Sequence, residues 1–235
     1  MRKKPPKPAE LPSRKTRVTL TKTAGRSAAS QRWLVRQLND PYVQAAQASG
    51  FRSRSAYKLL ELNARFHFLR KGMKVVDLGA APGGWMQAAL AAGAEMVIGI
   101  DLLPIAPLAG ARTLLADATA PDVIAQVGTL LGGPADLVLS DMAPATTGHA
   151  ATDHARIMAL AEEAFAIASA LLAPGGAFVV KLFQGGAEAS LLVPLKQAFA
   201  AVRHAKPPAS RAESRELYLV ATGFRPIRTP ACTTE

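Results

Sequence analysis

The chain has 235 residues, of which 49% are hydrophobic and 19% charged, and its formal net charge is +11. These values describe one sizeable folded domain and exclude a disordered chain. A single cysteine, Cys232, excludes a disulfide framework and a cysteine metal site. Because no apolar run reaches the roughly 18 residues of a membrane helix and no signal peptide is recognisable, we expect a cytoplasmic protein that does not engage a membrane.

The positive charge is concentrated at the two ends of the chain. Residues 1–70 carry 16 Lys and Arg against 3 Asp and Glu, whereas residues 71–180 carry 4 against 10. Residues 181–235 again have a basic excess, 8 against 4. Such segregation is typical of a protein that binds a polyanion through its flanks, with nucleic acid as the leading candidate. The plainer interpretation is that these side chains only keep a terminal segment soluble.

The predicted elements, in chain order, begin with a flexible basic arm over residues 1–30, rich in proline, serine and threonine. A helix is predicted over 31–48, and a second begins at an N-cap, Ser53 or Ser55. Strands and helices then alternate. Strands are predicted at 74–79, 95–102, 112–117, 135–144, 175–183 and 216–224, and helices at 85–92, 121–131, 151–172 and 187–201. A domain over 31–224 and a tail over 225–235 follow from this division.

The predicted strands are apolar without alternation, which indicates a mostly parallel sheet buried between helices on both faces. Ligands of such sheets bind beyond the carboxyl ends of the strands. Five successive strands end here in a glycine turn or an ionisable side chain: Gly79, Asp101, Asp117, Asp141 and Lys181. Scattered surface charge rarely produces that arrangement, so we expect a binding site at this edge.

The first two positions predict a nucleotide-like cofactor. Gly79, Gly83 and Gly84 in the loop "GAAPGGW" allow a tight turn and a close approach of a ligand to the backbone. Asp101 follows Gly79 by 22 residues, a spacing that suits a carboxylate accepting from both ribose hydroxyls. NAD and S-adenosylmethionine both carry that ribose. Asp117 either accepts from an adenine amino group or only caps its own turn.

Asp141 and Lys181 are harder to explain as structural residues, because each ends a long apolar strand and a buried lysine needs a partner. A simple ion pair between them, tying two strands together, is the plain alternative. We expect the fourth and fifth strands beside the first. Lys58 on the early helix and Glu216 at the start of the last strand are candidates to join them.

Several segments together resemble the RrmJ/FtsJ family of ribose 2′-O-methyltransferases, and the resemblance runs from about residue 31 to 223. They are "RSRSAYKLLEL", "VVDLGAAPGGW", "DLLPI", "LSDMAPATTG", "LAPGGAFVVKLFQG" and "SRAESRELYLVATG". The resemblance implies a Rossmann-like fold with a seven-stranded sheet whose last strand is antiparallel. It also implies a Lys58-Asp141-Lys181-Glu216 tetrad, S-adenosylmethionine as cofactor and no metal. Cofactor contacts are implied at Gly83, Trp85, Asp101, Asp117 and Asp141.

Within that family the match is strongest to bacterial heat-shock enzymes that modify large-subunit 23S ribosomal RNA, which implies ribosomal RNA as partner and a uridine ribose as target. We expect a monomer. Lys181 is the candidate base for the 2′-hydroxyl, with nearby cations favouring its neutral form. Steering of the hydroxyl is its alternative role. Six arginines are predicted to contact RNA phosphates: Arg32, Arg36, Arg52, Arg54, Arg211 and Arg215.

Three other functions compete with this interpretation. A methyltransferase of transfer RNA or of messenger RNA caps would use the same tetrad. An NAD-dependent oxidoreductase would explain the glycine loop and Asp101, yet it leaves Asp141 and Lys181 without a role. A non-catalytic RNA-binding protein has no need to keep all four members of the tetrad.

Overall fold

The computed structural model describes residues 19, 25, 27–144, 147–185 and 189–226. Its centre is a sheet whose strands are β1 (Lys74–Leu78), β2 (Met96–Asp101), β3 (Ala111–Leu115), β4 (Ala135–Ser140), β5 (Leu172–Phe183), β6 (Phe199–Ala205) and β7 (Glu216–Phe224). The helices are α1 (Ala28–Leu38), α2 (Pro41–Ser49), α3 (Ser55–Phe66), α4 (Gly84–Ala91), α5 (Val123–Leu131), α6 (Ala150–Leu171) and α7 (Ala189–Ala198).

The strands lie in the order β3-β2-β1-β4-β5-β7-β6. The pairs from β3 to β5 are parallel, and β7 runs antiparallel to both β5 and β6. This confirms the predicted fold class, including the antiparallel last strand. The expectation that the fifth strand lies beside the first is wrong, because β4 separates β5 from β1. The order places the ends of β1 and β4 side by side, with the end of β5 next to them.

Each face of the sheet packs against its own group of helices. In β1, Val76 points toward α5, α6 and α7, whereas Val75 points toward α3 and α4. Successive side chains of a strand point to opposite faces, so a strand covered on both sides is apolar throughout. The structure therefore explains why the predicted strands show no polar alternation. None of the helices that the structure describes is long and apolar enough to cross a membrane.

The predicted helix over 31–48 is two helices. The side chain of Asp40 accepts from the backbone N–H of Tyr42 at 3.0 Å, and Pro41 occupies the first turn of α2. Proline cannot continue a preceding helix but fits the first turn of a new one, so the chain bends at this point. Helix α1 also begins at Ala28, inside the predicted arm, because Ser27 caps it. The remainder of the arm, apart from residues 19 and 25, lies outside the described residues.

The predicted helix over 187–201 ends early, since Phe199–Ala205 forms the strand β6. The alanine-rich sequence favours a helix, but β6 pairs with β7 and its Phe199 ring lies 5.2 Å from that of Phe224. Pairing and aromatic burial outweigh the small differences in propensity. Residues 186–188 and the tail beyond residue 226 lie outside the described residues.

Candidate active site

A cavity of about 720 Å³ opens at the carboxyl edge of the sheet. Four of the predicted positions border it: Gly79, Asp101, Asp117 and Asp141. Gly79 has φ +74°, and a Cβ there would lie 2.8 Å from Cγ of Met142 and 3.0 Å from its Cα. Any other residue at this position would therefore be strained and would clash with Met142. The volume suits a nucleotide-sized ligand.

Asp101 is oriented by the backbone on both sides. One carboxylate oxygen accepts from the N–H of Ala81 at 2.8 Å, and the other accepts from the N–H of Leu103 at 2.8 Å. Each oxygen keeps a second lone pair that can accept from a ligand hydroxyl. The carboxylate thus joins the glycine loop to the segment after β2 and holds an acceptor pair at the cavity.

The sequence left two roles open for Asp117, capping its own turn and binding a ligand, and its position is consistent with both. It caps its own turn, since Oδ1 accepts from the N–H of Thr119 at 2.9 Å and from its hydroxyl at 2.8 Å. These hydrogen bonds lower the pKa of Asp117 below its ordinary value. The side chain also borders the cavity. Capping and ligand binding therefore do not exclude each other here.

Gly83 and Trp85 lie away from the cavity lining. Gly83 has φ +104° at the N-cap of α4, and a Cβ there would lie 2.8 Å from the guanidinium of Arg52. Trp85 is only 3% exposed, and its indole N–H donates to the carbonyl of Ser55 at 2.8 Å. Their predicted cofactor contacts remain predictions, and the contacts seen here anchor α4 against the start of α3.

The predicted tetrad is brought together as one chain of hydrogen bonds. Lys58 Nζ donates to Glu216 Oε2 at 2.7 Å, and Lys181 Nζ lies 3.1 Å from Asp141 Oδ1. Tyr218 joins the two pairs, with its hydroxyl 3.3 Å from Lys58 Nζ and 2.8 Å from Asp141 Oδ1. The four residues come from α3, from β5, from β7 and from the end of β4, so only the folded sheet assembles them.

Sequence reasoning missed Tyr218, although a signal was present. It follows Glu216 by two residues on one strand, and residues two apart share a face. It also lies directly opposite Lys181 in the β5–β7 pair. Burial raises the pKa of the Tyr218 hydroxyl well above its ordinary value, and the carboxylates of Asp141 and Glu216 raise it further. The hydroxyl therefore stays protonated and donates to Asp141.

Lys181 is 8% exposed and forms the ion pair that the sequence left as a plain structural alternative. Its ammonium also donates to the backbone carbonyl of Asp141. This pair does more than connect two strands, because Asp141 borders the cavity. The ammonium is thus fixed beside a ligand-sized space, where it can act on a bound molecule.

Asp77 is a second residue that sequence reasoning passed over. It is 1% exposed on β1, and neither carboxyl oxygen has a hydrogen-bond partner within the described part of the chain. Burial raises the pKa of Asp77 well above its ordinary value, and the neighbouring carboxylates of Asp141 and Asp101 raise it further. Asp77 therefore keeps its proton to a higher pH than an exposed aspartate would.

We expect replacement of Asp77 by asparagine to change how stability depends on pH. The folded protein holds the Asp77 proton more tightly than the unfolded chain, so this group's stabilisation is complete below its ordinary pKa of 3.8 and is lost as pH rises. The free energy of unfolding of Asp77→Asn minus that of wild type should therefore increase between about pH 4 and about pH 8. Urea unfolding of the cofactor-free proteins measures it.

Asp117→Asn is the matched control. Because the pKa of Asp117 is lowered, its stabilisation is present above the ordinary value of 3.8 and is lost only as pH falls below that value. The difference in free energy of unfolding between Asp117→Asn and wild type should stay constant over the same pH range. A flat difference for Asp77→Asn as well would contradict the raised pKa of Asp77.

The arginines predicted to bind RNA fall into two groups. Arg52 is engaged with the protein, because its guanidinium donates to the carbonyls of Pro82 at 3.2 Å, Ala106 at 2.7 Å and Pro107 at 2.7 Å. It ties the glycine loop to the segment after β2. A phosphate contact would compete with these bonds, so the visible role of Arg52 is to shape the cavity.

Arg54 is likewise engaged, pairing with the buried Asp40 and donating to the carbonyl of Ala209. Arg211 Nη2 lies 3.5 Å from the same carboxylate. Such partners replace the hydration that a carboxylate loses when it is buried. These arginines fasten the start of α2 to α3 and to the segment before β7.

Three arginines remain on the surface. Arg32 and Arg36 are exposed on α1, and Arg36 Nη1 lies 3.9 Å from Glu213 Oε1. Arg215 is exposed and donates to the carbonyl of Gln184 at 2.7 Å. An ion pair this long and exposed is weak, so Arg36 can exchange its partner for a phosphate.

A second cavity of about 430 Å³ meets the hydrogen-bonded chain from its other end. Both Lys58 and Glu216 border it, and three arginines do as well: Arg36, Arg54 and Arg211. The tetrad thus runs from a cavity where four carboxylates outnumber the one cation, Arg156, to a cavity where four cations outnumber Glu213 and Glu216. The first arrangement suits a cationic cofactor and the second suits a polyanion.

The fold, the glycine loop and the carboxylates at the ends of β2 and β3 define a protein that binds a nucleoside-containing cofactor. The model of the FtsJ-like methyltransferase family matches residues 51–224, so the chain belongs to that family and is a methyltransferase. The methyl donor of the family is S-adenosylmethionine, which is the predicted cofactor.

Similar proteins carry more specific names. A protein of Granulibacter bethesdensis named ribosomal RNA large subunit methyltransferase E is 61% identical, over 89% of this chain and 92% of its own. One of the same name from Gluconobacter oxydans is 56% identical, over 92% and 81%. A crystal structure from Plasmodium falciparum, titled as a ribosomal RNA methyltransferase, superposes with a TM-score of 0.67 at 28% identity, covering 74% of this chain and 98% of that one.

Proposed function

We propose that this protein methylates the 2′-oxygen of a ribose in large-subunit 23S ribosomal RNA, and that the target nucleotide is a uridine. The observation that carries the proposal is the hydrogen-bonded chain from Lys181 to Glu216, which lies between a cavity bordered by carboxylates and one bordered by cations. The relatives named ribosomal RNA large subunit methyltransferase E support the choice of RNA.

The larger cavity fits S-adenosylmethionine through the residues that border it. Gly79 leaves room where a Cβ would collide, and Asp101 presents oriented acceptors suited to ribose hydroxyls. Asp117 is proposed to accept from the adenine amino group, and Asp141 to face the cationic part of the donor. When bound, the donor supplies a methyl group on a sulfonium, which is electrophilic without a metal.

What the protein must add is a competent nucleophile, because a ribose hydroxyl attacks poorly while it keeps its proton. We assign proton acceptance to Lys181 Nζ in its neutral form. Asp141, which borders the cavity, holds this nitrogen at 3.1 Å. When the 2′-oxygen takes the methyl group, the bond from that carbon to the donor's sulfur would break and leave a neutral thioether, and the O–H proton would pass to Lys181.

Lys58 and Glu216 complete the tetrad from the side of the second cavity. Their 2.7 Å pair is mostly buried, so Lys58 keeps a fixed position next to Tyr218. Tyr218 continues the hydrogen-bonded chain from Lys58 to Asp141, which pairs with Lys181.

The RNA is proposed to follow the basic lining of the second cavity, which includes Arg211, with the exposed Arg32, Arg36 and Arg215 contacting its phosphates. We take residues 31–224, preceded by the start of α1, as the catalytic domain, with the arm and tail outside it. The proposal further takes the protein to be a monomer that acts in the cytoplasm, on RNA within the large subunit.

The decisive experiment is to incubate the protein with labelled S-adenosylmethionine and, separately, large ribosomal subunits, free ribosomal RNA, transfer RNA and capped messenger RNA. Label on a 2′-O-methyluridine of 23S RNA is the expected result, located by mapping the modified ribose. Label only on transfer RNA or on caps would replace the proposed substrate. Absence of label from every RNA, or label on a base, would overturn the proposal.

A further inference from the structure

Helix α1 carries an exposed aromatic side chain in a basic setting. Trp33 is 55% exposed, the only aromatic among the large apolar side chains that are highly exposed within the described residues. Arg32 precedes it, Arg36 follows one turn later, and α1 contains no acidic residue. An indole surrounded by cations suits a partner that is both flat and anionic.

The helix places this indole close to the tetrad. Arg36 and Gln37 border the second cavity together with Lys58 and Glu216. Residues three and four apart on a helix are surface neighbours, about 5–6 Å between their Cβ atoms. Trp33 is therefore the next surface position beyond this cavity along α1. A strand of RNA leaving the cavity past Arg36 would reach Trp33 with its next bases.

We propose that Trp33 is a stacking platform for an unpaired base of the RNA, adjacent to the nucleotide that enters the active site. This inference rests on the proposed function and adds to it a contact that holds the substrate. The indole face stacks on the base while Arg32 and Arg36 neutralise the flanking phosphates. Aromatic stacking accepts any base, so Trp33 contributes affinity for single-stranded RNA and little sequence preference.

The test compares Trp33→Ala and Trp33→Phe with wild type in binding a single-stranded oligoribonucleotide and a duplex RNA of the same length. The alanine variant should bind the single strand about five- to tenfold more weakly, and phenylalanine should restore most of the loss. Duplex binding should change little, since paired bases cannot stack on a side chain. Leu38→Ala, a second exposed apolar residue on α1, is the matched control and should bind as wild type.

Intrinsic fluorescence provides an independent readout, because the chain has only two tryptophans and Trp85 is buried. Single-stranded RNA should quench the emission of wild type and leave Trp33→Phe unquenched. The inference would be overturned if Trp33→Ala bound the single strand with unchanged affinity and RNA quenched wild type and Trp33→Phe equally. It would also be overturned if Trp33→Ala lost the same affinity for the single strand and for the duplex. If wild type methylates ribosomal RNA while Trp33→Ala binds normally, this inference alone fails; if wild type binds no RNA, the proposed function fails first.

Discussion

Replacement of Lys181 by alanine is expected to lower the rate of methyl transfer at least about a hundredfold while S-adenosylmethionine still binds. General-base assistance is typically worth about 100- to 10,000-fold, and the Lys181 nitrogen is held by Asp141, which borders the cavity. The donor contacts assigned to Asp101 and Asp117 do not involve Lys181. Single-turnover rates with ribosomal RNA and calorimetry with the donor measure the two properties separately.

Lys181→Arg separates proton acceptance from steering. A guanidinium keeps its proton in proteins, so it can orient a hydroxyl but cannot accept from it. If Lys181 is the base, arginine should be as inactive as alanine. Substantial turnover in Lys181→Arg would show that the group only steers, and near-normal turnover in Lys181→Ala would remove it from catalysis. Lys196→Ala, an exposed lysine on α7, is the control and should react as wild type.

Tyr218→Phe is expected to slow methyl transfer about ten- to a hundredfold without unfolding the protein. The change removes the hydroxyl that donates to Asp141 at 2.8 Å and lies 3.3 Å from Lys58. A hydrogen bond to a charged group contributes about 1.5–3 kcal/mol, and its loss frees Asp141 to shift away from Lys181. The ring itself still packs against Trp85, at 5.8 Å between centroids.

Tyr57→Phe is the matched control for this variant. Tyr57 is also fully buried, and within the described residues its hydroxyl bonds only to Ser49, at 3.2 Å, away from the tetrad. Thermal unfolding should show a loss of stability for both variants that is larger for Tyr218→Phe, whereas only Tyr218→Phe should lose rate. Equal rates in the two variants would show that the Tyr218 bridge has no part in the reaction.

The sequence predicted the location of the carboxylates that stand at the ends of parallel strands. Asp101, Asp117 and Asp141 were expected at one edge because the carboxyl ends of parallel strands face the same way. All three border the larger cavity. The choice between NAD and S-adenosylmethionine was not accessible at that level, because both ligands present the same ribose to Asp101. The resemblance to a methyltransferase family and the match to that family's model decided in favour of S-adenosylmethionine.

Local signals were misread where two of them competed. The Asn-Asp-Pro segment at 39–41 carries both a helix stop and a helix start, yet the apolar spacing on either side suggested a single helix. At Phe199 the alanine-rich sequence favours a helix, and only its pairing with β7 makes it a strand. Weak propensities of this kind are overridden when an edge strand has a partner.

Charge alone also could not separate arginines that bind RNA from arginines that hold the fold. Arg52 and Arg36 are the same residue type and both lie in the basic first part of the sequence. In the structure, the Arg52 guanidinium donates to three backbone carbonyls, whereas Arg36 remains exposed. The difference depends on which backbone groups lie opposite each guanidinium after folding. Those groups are 30 to 55 positions away from Arg52 in the sequence.

By itself, the sequence determined an α/β fold with its carboxylates and Lys181 gathered at one edge, because strand periodicity and strand-end chemistry are local properties; the methyltransferase class came from the resemblance. Only the tertiary structure decided that Lys58 meets Glu216, 158 positions away, and that Tyr218 bridges the two ion pairs. It also decided that Asp77 is buried without a partner. These features depend on distances across the sheet, which are set by packing in three dimensions.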